Sequence, residues 1–311
     1  MFADRRELAG LRRAALLLQE AEETLQAGMI LSPELLLRIR KLEPPWGTLA
    51  SESIHDLRHA GASLLPTLRR IRALITGQVT FSLNSRTQSS QARAQGLVCL
   101  LLVPLFSFAL SQLLPALKEH QVTWVLVSLG GLLIASCGSL WILALGESAR
   151  WGNLRKSRRG WPVTALATGE RLLALIRSGM APETAWSRCY ALLASTTPEL
   201  ALRWPSSVWV KSEELPRSSM LARPDGLATL DTLGRALTQG IQLSVFEGKP
   251  CLERLEAGLE AFKTEFQTRV EREIALLSTR ALKPLFIFIA PSVLFLLGAA
   301  MFFSAGTELF G

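Results

Sequence analysis

Residues 284–307 read PLFIFIAPSVLFLLGAAMFFSAGT and contain no Asp, Glu, Lys or Arg. A helix needs about 20 apolar residues to cross the hydrocarbon core of a bilayer. Two further segments, 94–117 and 121–146, are also free of charged residues and long enough to cross. The sequence therefore predicts an all-α integral membrane protein with three transmembrane helices.

The positive charges lie almost entirely on one side of these segments. Of the 34 Lys and Arg residues, 13 precede the first segment, 20 lie between the second and the third, and only Lys118 stands elsewhere. Because Lys and Arg are retained in cytoplasmic loops, we expect a cytoplasmic N-terminus and a periplasmic C-terminus. This orientation accounts for the net charge of +8 without nucleic-acid binding.

The densest basic cluster follows the second segment directly. Since it stands at the membrane surface, we expect it to contact anionic lipid head groups. The candidate membrane-interface residues are Arg155, Lys156, Arg158 and Arg159.

Periodic apolar residues and capping signals predict helices on both sides of the first two spans. Before the first span, five helices are predicted. They are Glu7–Gln26, a second helix that begins at Ser32-Pro33-Glu34, and then Ser51–Ala60, Leu64–Ile75 and Gln78–Gln95. After the second span they cover Thr164–Ser178, a helix opened by Ala181-Pro182-Glu183, and then Leu227–Gln239 and Leu252–Leu282, with residues 195–225 as an irregular insert.

The two soluble regions are similar to each other when the chain is shifted by 187 residues. Gly61 then falls on Gly248, and Leu68 on Leu255. Upstream, Gly28-Met29 matches Gly179-Met180 at a shift of 151. We interpret this as an internal duplication. The predicted order is a first cytoplasmic bundle 1–95, spans 96–117 and 121–146, a second bundle 147–283, a third span 284–304 and a short periplasmic tail 305–311.

Three stretches of the second bundle resemble the type II secretion F domain. They read GMAPETAW at 179–186, FEGKP at 246–250, and RALKPL at 280–285, just before the last span. The resemblance covers nearly the whole chain and is more specific over 164–304 than over 1–95. The first copy departs from it, having Ser32-Pro33-Glu34 shifted by two residues from the place of Ala181-Pro182-Glu183.

This resemblance implies a non-enzymatic platform protein in the bacterial inner membrane. Such proteins serve type II secretion, type IV pili or tight-adherence pili, and have two F domains and three spans. The implied partners are a hexameric assembly or secretion ATPase and pilin or pseudopilin subunits. The platform would form homo-oligomers, or hetero-oligomers with a related platform subunit, and would couple the ATPase to extraction of pilins from the membrane.

Two sets of residues are candidates for coupling the ATPase to pilin extraction. An acidic stripe could meet a basic patch on the ATPase or bind a divalent cation, whereas the pattern itself favours a solvated helix face. Two prolines inside spans could kink or loosen their helices, or could simply fit the local packing. The stripe comprises Glu247, Glu253, Glu256 and Glu260, and the prolines are Pro104 and Pro291.

The sequence predicts no catalytic, cofactor-binding or metal-binding residues. His55 and His59 are four apart, but the metalloprotease pattern needs Glu after the first histidine, where this chain has Asp56. We expect the four cysteines to be packed thiols. A small membrane transporter or channel subunit is the alternative function; the spans carry few of the polar groups that transport usually needs. A third possible function is that of a membrane-anchored enzyme or sensor, but the sequence contains no set of residues typical of a catalytic site.

Overall fold

The computed structural model describes residues 2–114, 121–209, 227–248 and 250–310, and these residues form helices and no strand. The first five helices are α1 (Phe2–Gln26), α2 (Pro33–Arg40), α3 (Trp46–His59), α4 (Leu65–Leu113) and α5 (Gln121–Ala149). Then come α6 (Trp161–Arg177), α7 (Pro182–Thr196), α8 (Pro198–Ala201), α9 (Leu227–Glu247), α10 (Leu252–Ala275), α11 (Leu277–Pro284) and α12 (Ala290–Phe310). A short 3-10 turn (Lys156–Arg158) precedes α6, and a π-helical segment (Leu285–Ile289) joins α11 to α12.

The chain divides into two compact units, each built from separated parts of the sequence. The soluble unit comprises Met1–Asn84 and Leu154–Thr268. The apolar unit comprises Ser85–Asn153 and Arg269–Gly311. Residues 1–84 and 154–268, which come from the two regions related by the shift of 187 residues, therefore belong to one unit.

Within the soluble unit, left-handed glycines end equivalent helices. Gly28 follows α1 and Gly179 follows α6, with φ values of 72° and 89°. Gly61 follows α3 and Gly248 follows α9, with φ values of 65° and 68°. Glycine adopts this conformation without the steric cost that other residues bear, which explains its place after each helix.

Buried residues of the two copies share the same register. At the shift of 187 residues, five buried apolar residues of the first region fall on buried apolar residues of the second. Gly47 and Gly234 also correspond. A Cβ at Gly47 would lie 2.4 Å from the Leu42 carbonyl oxygen, and a Cβ at Gly234 would lie 2.6 Å from the Trp204 ring. The internal duplication itself stays a prediction. The buried pairs are Trp46/Leu233, Ala50/Leu237, Ile54/Ile241, Leu68/Leu255 and Ile75/Phe262.

Two hydrophobic cores fill the soluble unit. The first joins α1, α2, α3 and the start of α4 around Leu18, Ile39 and Ile71, and it also includes Ala167 of α6. The second joins α6, α7, α9 and α10 around Trp186. Part of the predicted insert belongs to this second core: the Trp204 ring stacks on Trp186 with centroids 6.1 Å apart. The prediction that 195–225 is irregular is therefore wrong for its start, since α7 continues to Thr196 and α8 follows; residues 210–226 lie outside the described residues.

Several predicted helix boundaries are also wrong. The two helices predicted over Leu64–Ile75 and Gln78–Gln95 are one continuous helix, α4, because Gly77 is tolerated inside it. Gly240 does not end α9, which continues to Glu247. A Cβ at Gly240 would lie 3.3 Å from Leu255, so this glycine serves close helix packing.

Three helices of the apolar unit are long and apolar enough to cross a membrane. They are Ala94–Leu113, Gln121–Ala149 and Leu277–Ala305, and they confirm a multi-pass membrane protein by length and composition. Val103, Ala135 and Leu296, one from each, are buried together. Large apolar side chains such as Leu105 and Phe302 remain exposed, as lipid-facing residues are.

A strip of small residues lets the second span pack closely against the third. Gly131, Ala135 and Gly138 are all buried, as small residues at a close contact between helices are. A Cβ at Gly138 would lie 2.9 Å from the Phe288 Cβ, whereas one at Gly130 would meet only Phe295, at 3.9 Å.

Gly138→Ala should destabilise the protein by about 1–3 kcal/mol, because the added methyl overpacks this contact. Gly130→Ala, eight residues away on the same helix, is the matched control and should have little effect. Unfolding of the purified chain in detergent, followed by circular dichroism, measures both. Equal stabilities of the two variants would contradict the packing described for this strip.

Candidate functional site

A buried ion pair joins the two copies inside the soluble unit. Asp56 lies on α3 and Arg171 on α6, with Arg171 Nη2 2.6 Å from Asp56 Oδ2. Arg188 on α7 donates to the other carboxylate oxygen, Oδ1, at 3.2 Å. The side chains of Asp56 and Arg171 are only 9% and 4% exposed. One carboxylate therefore links helices whose residues lie more than a hundred positions apart.

A second group of charges is more exposed and centres on Glu256 of α10. Its carboxylate pairs with Arg70 of α4 at 3.2 Å and also with Arg177 of α6. Arg70 Nε lies 3.4 Å from Glu170 Oε2. Burial is the main cause that raises the pKa of Glu170 above its ordinary value, against the opposing effects of Arg70 and Arg177.

A third group lies within the first copy and fixes α1 against α4. Glu22 is buried, and its two oxygens face Arg69 at 2.7 Å and Arg72 at 3.0 Å. Because both arginines are partly exposed, this group keeps contact with solvent, unlike the pair of Asp56 with Arg171.

A cavity of about 160 Å³ lies beside the first two groups, lined by residues of α3, α4 and α6 and by the turn before α4. Its apolar wall includes Leu57, Ile71 and Ala174, and its polar wall includes Ser53, Arg70 and Arg171. Both copies contribute to it, and all its lining residues belong to the soluble unit.

The four glutamates of the predicted acidic stripe have different surroundings. Glu256 is half-buried and pairs inside the protein with Arg70 and Arg177. Glu260 is exposed and lies 3.5 Å from Lys263, one turn along its own helix. Glu247 and Glu253 are also exposed, at the end of α9 and the start of α10. The exposed members of the stripe are thus Glu247, Glu253 and Glu260.

The predicted membrane-interface residues lie on and beside the 3-10 turn before α6. Arg155 and Lys156 are exposed, whereas Arg158 and Arg159 are half-buried. The Arg158 guanidinium lies 5.1 Å from the centre of the Trp161 ring, a cation–π arrangement.

The two candidate kink prolines differ in their backbone setting. Pro104 lies inside the uninterrupted helix α4. Pro291 is the second residue of α12 and follows the π-helical segment Leu285–Ile289, where the Ala290 N–H donates to the Leu285 carbonyl oxygen. The wider π turn is a local loosening of the helix beside this proline.

The histidines and cysteines have different surroundings. The rings of His55 and His59 lie 4.5 Å apart.

Burial raises the pKa of the Cys189 thiol to about 12, so this thiol stays protonated, and Cys251 is buried too. Cys137 is exposed, so the expectation of a packed thiol is wrong there. Among the described residues, no group of three or more His, Cys, Asp or Glu side chains could hold a metal ion.

The ion pair of Asp56 with Arg171 was missed by sequence reasoning. One signal was available, because Glu170 and Arg171 interrupt the otherwise apolar helix between Ala165 and Ile176. Charged residues in such a helix are rarely buried unless they are paired. The partner of Arg171, however, lies 115 residues away in the sequence.

Comparison with protein-family models, with curated proteins and with solved structures found no match to this chain.

Asp56→Asn should destabilise the protein by about 3–5 kcal/mol, because it leaves the buried Arg171 without its counter-charge. The exposed Glu260→Gln removes an ion pair within one helix and should cost less than about 1 kcal/mol. Chemical denaturation of both full-length variants in detergent measures the difference. A loss for Asp56→Asn no larger than for Glu260→Gln would show that the buried pair does not hold the copies together.

Proposed function

We propose that this protein is a non-enzymatic inner-membrane platform protein of a type II secretion or type IV pilus machine, including tight-adherence pili. It couples a cytoplasmic assembly ATPase to the extraction of pilin subunits. One observation supports the proposal: within a single helical unit, left-handed glycines and five buried residues recur at corresponding positions of 1–84 and 154–268. Duplicated helical domains attached to three spans are what the resembled family has.

The stretches that carry the resemblance have clear structural roles in the second copy. In GMAPETAW, Gly179 ends α6 with its positive φ, Pro182 lies in the first turn of α7, and Trp186 is fully buried. In FEGKP, Gly248 ends α9 in the same way. These residues specify the fold of the domain, so the resemblance rests on structural positions and not on a catalytic motif.

The proposed coupling begins at the exposed acidic residues. Glu253 and Glu260 lie on one face of α10, seven residues and about two helical turns apart. Glu256, which lies between them, forms ion pairs with Arg70 and Arg177. A force applied by the ATPase at this face would reach α4 through Arg70, and α4 continues without a break into the first candidate span.

The test is to purify the tagged full-length protein from its own bacterium in detergent and to identify the copurified proteins by mass spectrometry. We expect a hexameric ATPase and pilin-like subunits. Charge reversal of Glu253 and Glu260 to Lys should reduce ATPase recovery several-fold, because like charges then face its basic patch.

The matched control reverses two exposed glutamates outside the stripe, Glu34 and Glu199, and should leave ATPase recovery unchanged. Purifications that recover no ATPase and no pilin-like protein would overturn the proposed function. An equal loss of ATPase recovery in the two double variants would show that the acidic stripe does not bind the ATPase.

A further inference from the structure

The 160 Å³ cavity of the soluble unit is far larger than a single water molecule requires, which is about 10–15 Å³. Its walls carry three arginines (Arg70, Arg171 and Arg177) together with hydroxyl groups. A cavity with this lining favours a ligand that accepts hydrogen bonds.

Two buried side chains on its wall have donors without partners. Arg171 uses Nη2 for Asp56, but its Nε and Nη1 have no hydrogen-bond partner in the structure. Ser53 is 1% exposed, and its Oγ also has no partner. Leaving such groups unpaired is costly, so a bound acceptor would stabilise both.

The start of α4 lies at the same cavity. Ser63, Pro66 and Thr67, around its first turn, belong to the lining. Pro66 has no N–H and the Leu68 N–H bonds the Leu64 carbonyl, so in this turn the N–H group at the cavity is that of Thr67. The helix dipole adds a partial positive charge at this end. Phosphate groups bind at helix N-termini for this reason.

The surrounding carboxylates are largely neutralised. Asp56 is paired with Arg171 and Arg188, and Glu256 with Arg70 and Arg177. Glu52 is half exposed and lies 4.0 Å from Arg171. Glu170 is the acidic residue of the cavity lining and lies 3.4 Å from Arg70. Its raised pKa means that it takes up a proton more readily than an ordinary glutamate.

We propose that this cavity binds one phosphate group, held by Arg171, Ser53 and the first turn of α4. The group is either inorganic phosphate or the terminal phosphate of a small monoester. Since α3 and α4 come from the first copy and α6 from the second, a bound phosphate would stabilise the contact between the copies. This proposal is independent of any role in secretion.

Isothermal titration of the full-length protein in detergent, in a phosphate-free buffer, tests the proposal with inorganic phosphate, glycerol phosphate and sulfate in separate runs. We expect saturable phosphate binding with a Kd below about 1 mM, a free energy of about −4.1 kcal/mol. Tighter binding of glycerol phosphate would identify a monoester as the ligand, and tighter binding of inorganic phosphate would identify the free anion. Absence of phosphate binding up to about 10 mM, or sulfate binding as tight as both phosphates, would overturn the proposal.

Three variants then locate the site. Arg171→Lys keeps the charge but loses the guanidinium donors and should weaken phosphate binding about tenfold. Arg188→Lys touches the same Asp56 without lining the cavity and is the matched control. Glu170→Gln removes the opposing carboxylate and should tighten binding.

Equal affinities of Arg171→Lys and Arg188→Lys would overturn the assignment, and so would weaker binding by Glu170→Gln. Circular dichroism checks that each variant folds. If Arg171→Lys does not fold, Ser53→Ala replaces it, because it removes one cavity donor without changing any charge. Unchanged affinity of Ser53→Ala would then count against the site.

Discussion

The pairing of Asp56 with Arg171 imposes the constraint on which the rest of the chain depends. These residues lie 115 positions apart, with two candidate membrane spans between them. Because they form one buried ion pair, the parts of the chain that carry them must fold on the same side of the membrane. Two crossings between the copies satisfy that condition, whereas one or three would not. The second candidate span supplies the second of these two crossings.

The buried charges need not be a major source of stability. Bringing Asp56 and Arg171 out of water is costly, and a buried pair of this kind often contributes less than apolar side chains of the same size. Most of the stabilisation comes from the two hydrophobic cores, around Ile39 and Ile71 in the first copy and around Trp186 in the second. We suggest that the ion pair selects the correct pairing of α3 with α6, since a shifted pairing would leave both charges alone in the interior.

Local signals in the sequence predict what is decided locally. Ser32 caps α2 as expected, accepting a hydrogen bond from the Leu35 N–H, and Gly179 ends α6. The spans follow from their lack of charge. Contacts between distant segments leave no such signal, so the burial of Trp204 and the pairing of Asp56 with Arg171 were missed. Gly240 directly follows the predicted helix Leu227–Gln239 but lies inside α9, because a glycine required for close packing cannot be told in the sequence from a glycine that ends a helix.

The most direct test of the account is the side of the membrane on which each copy lies. In a chain whose native cysteines are replaced, single cysteines at the exposed positions Gln26 and Ser195 report on the first and second copies, and one at Glu119 reports on the link between spans. With a membrane-impermeant maleimide, we predict labelling of the Glu119 position in intact cells, and of the Gln26 and Ser195 positions only after the membrane that holds the protein is permeabilised. Labelling of one copy but not the other in intact cells would place them on opposite sides and contradict the account.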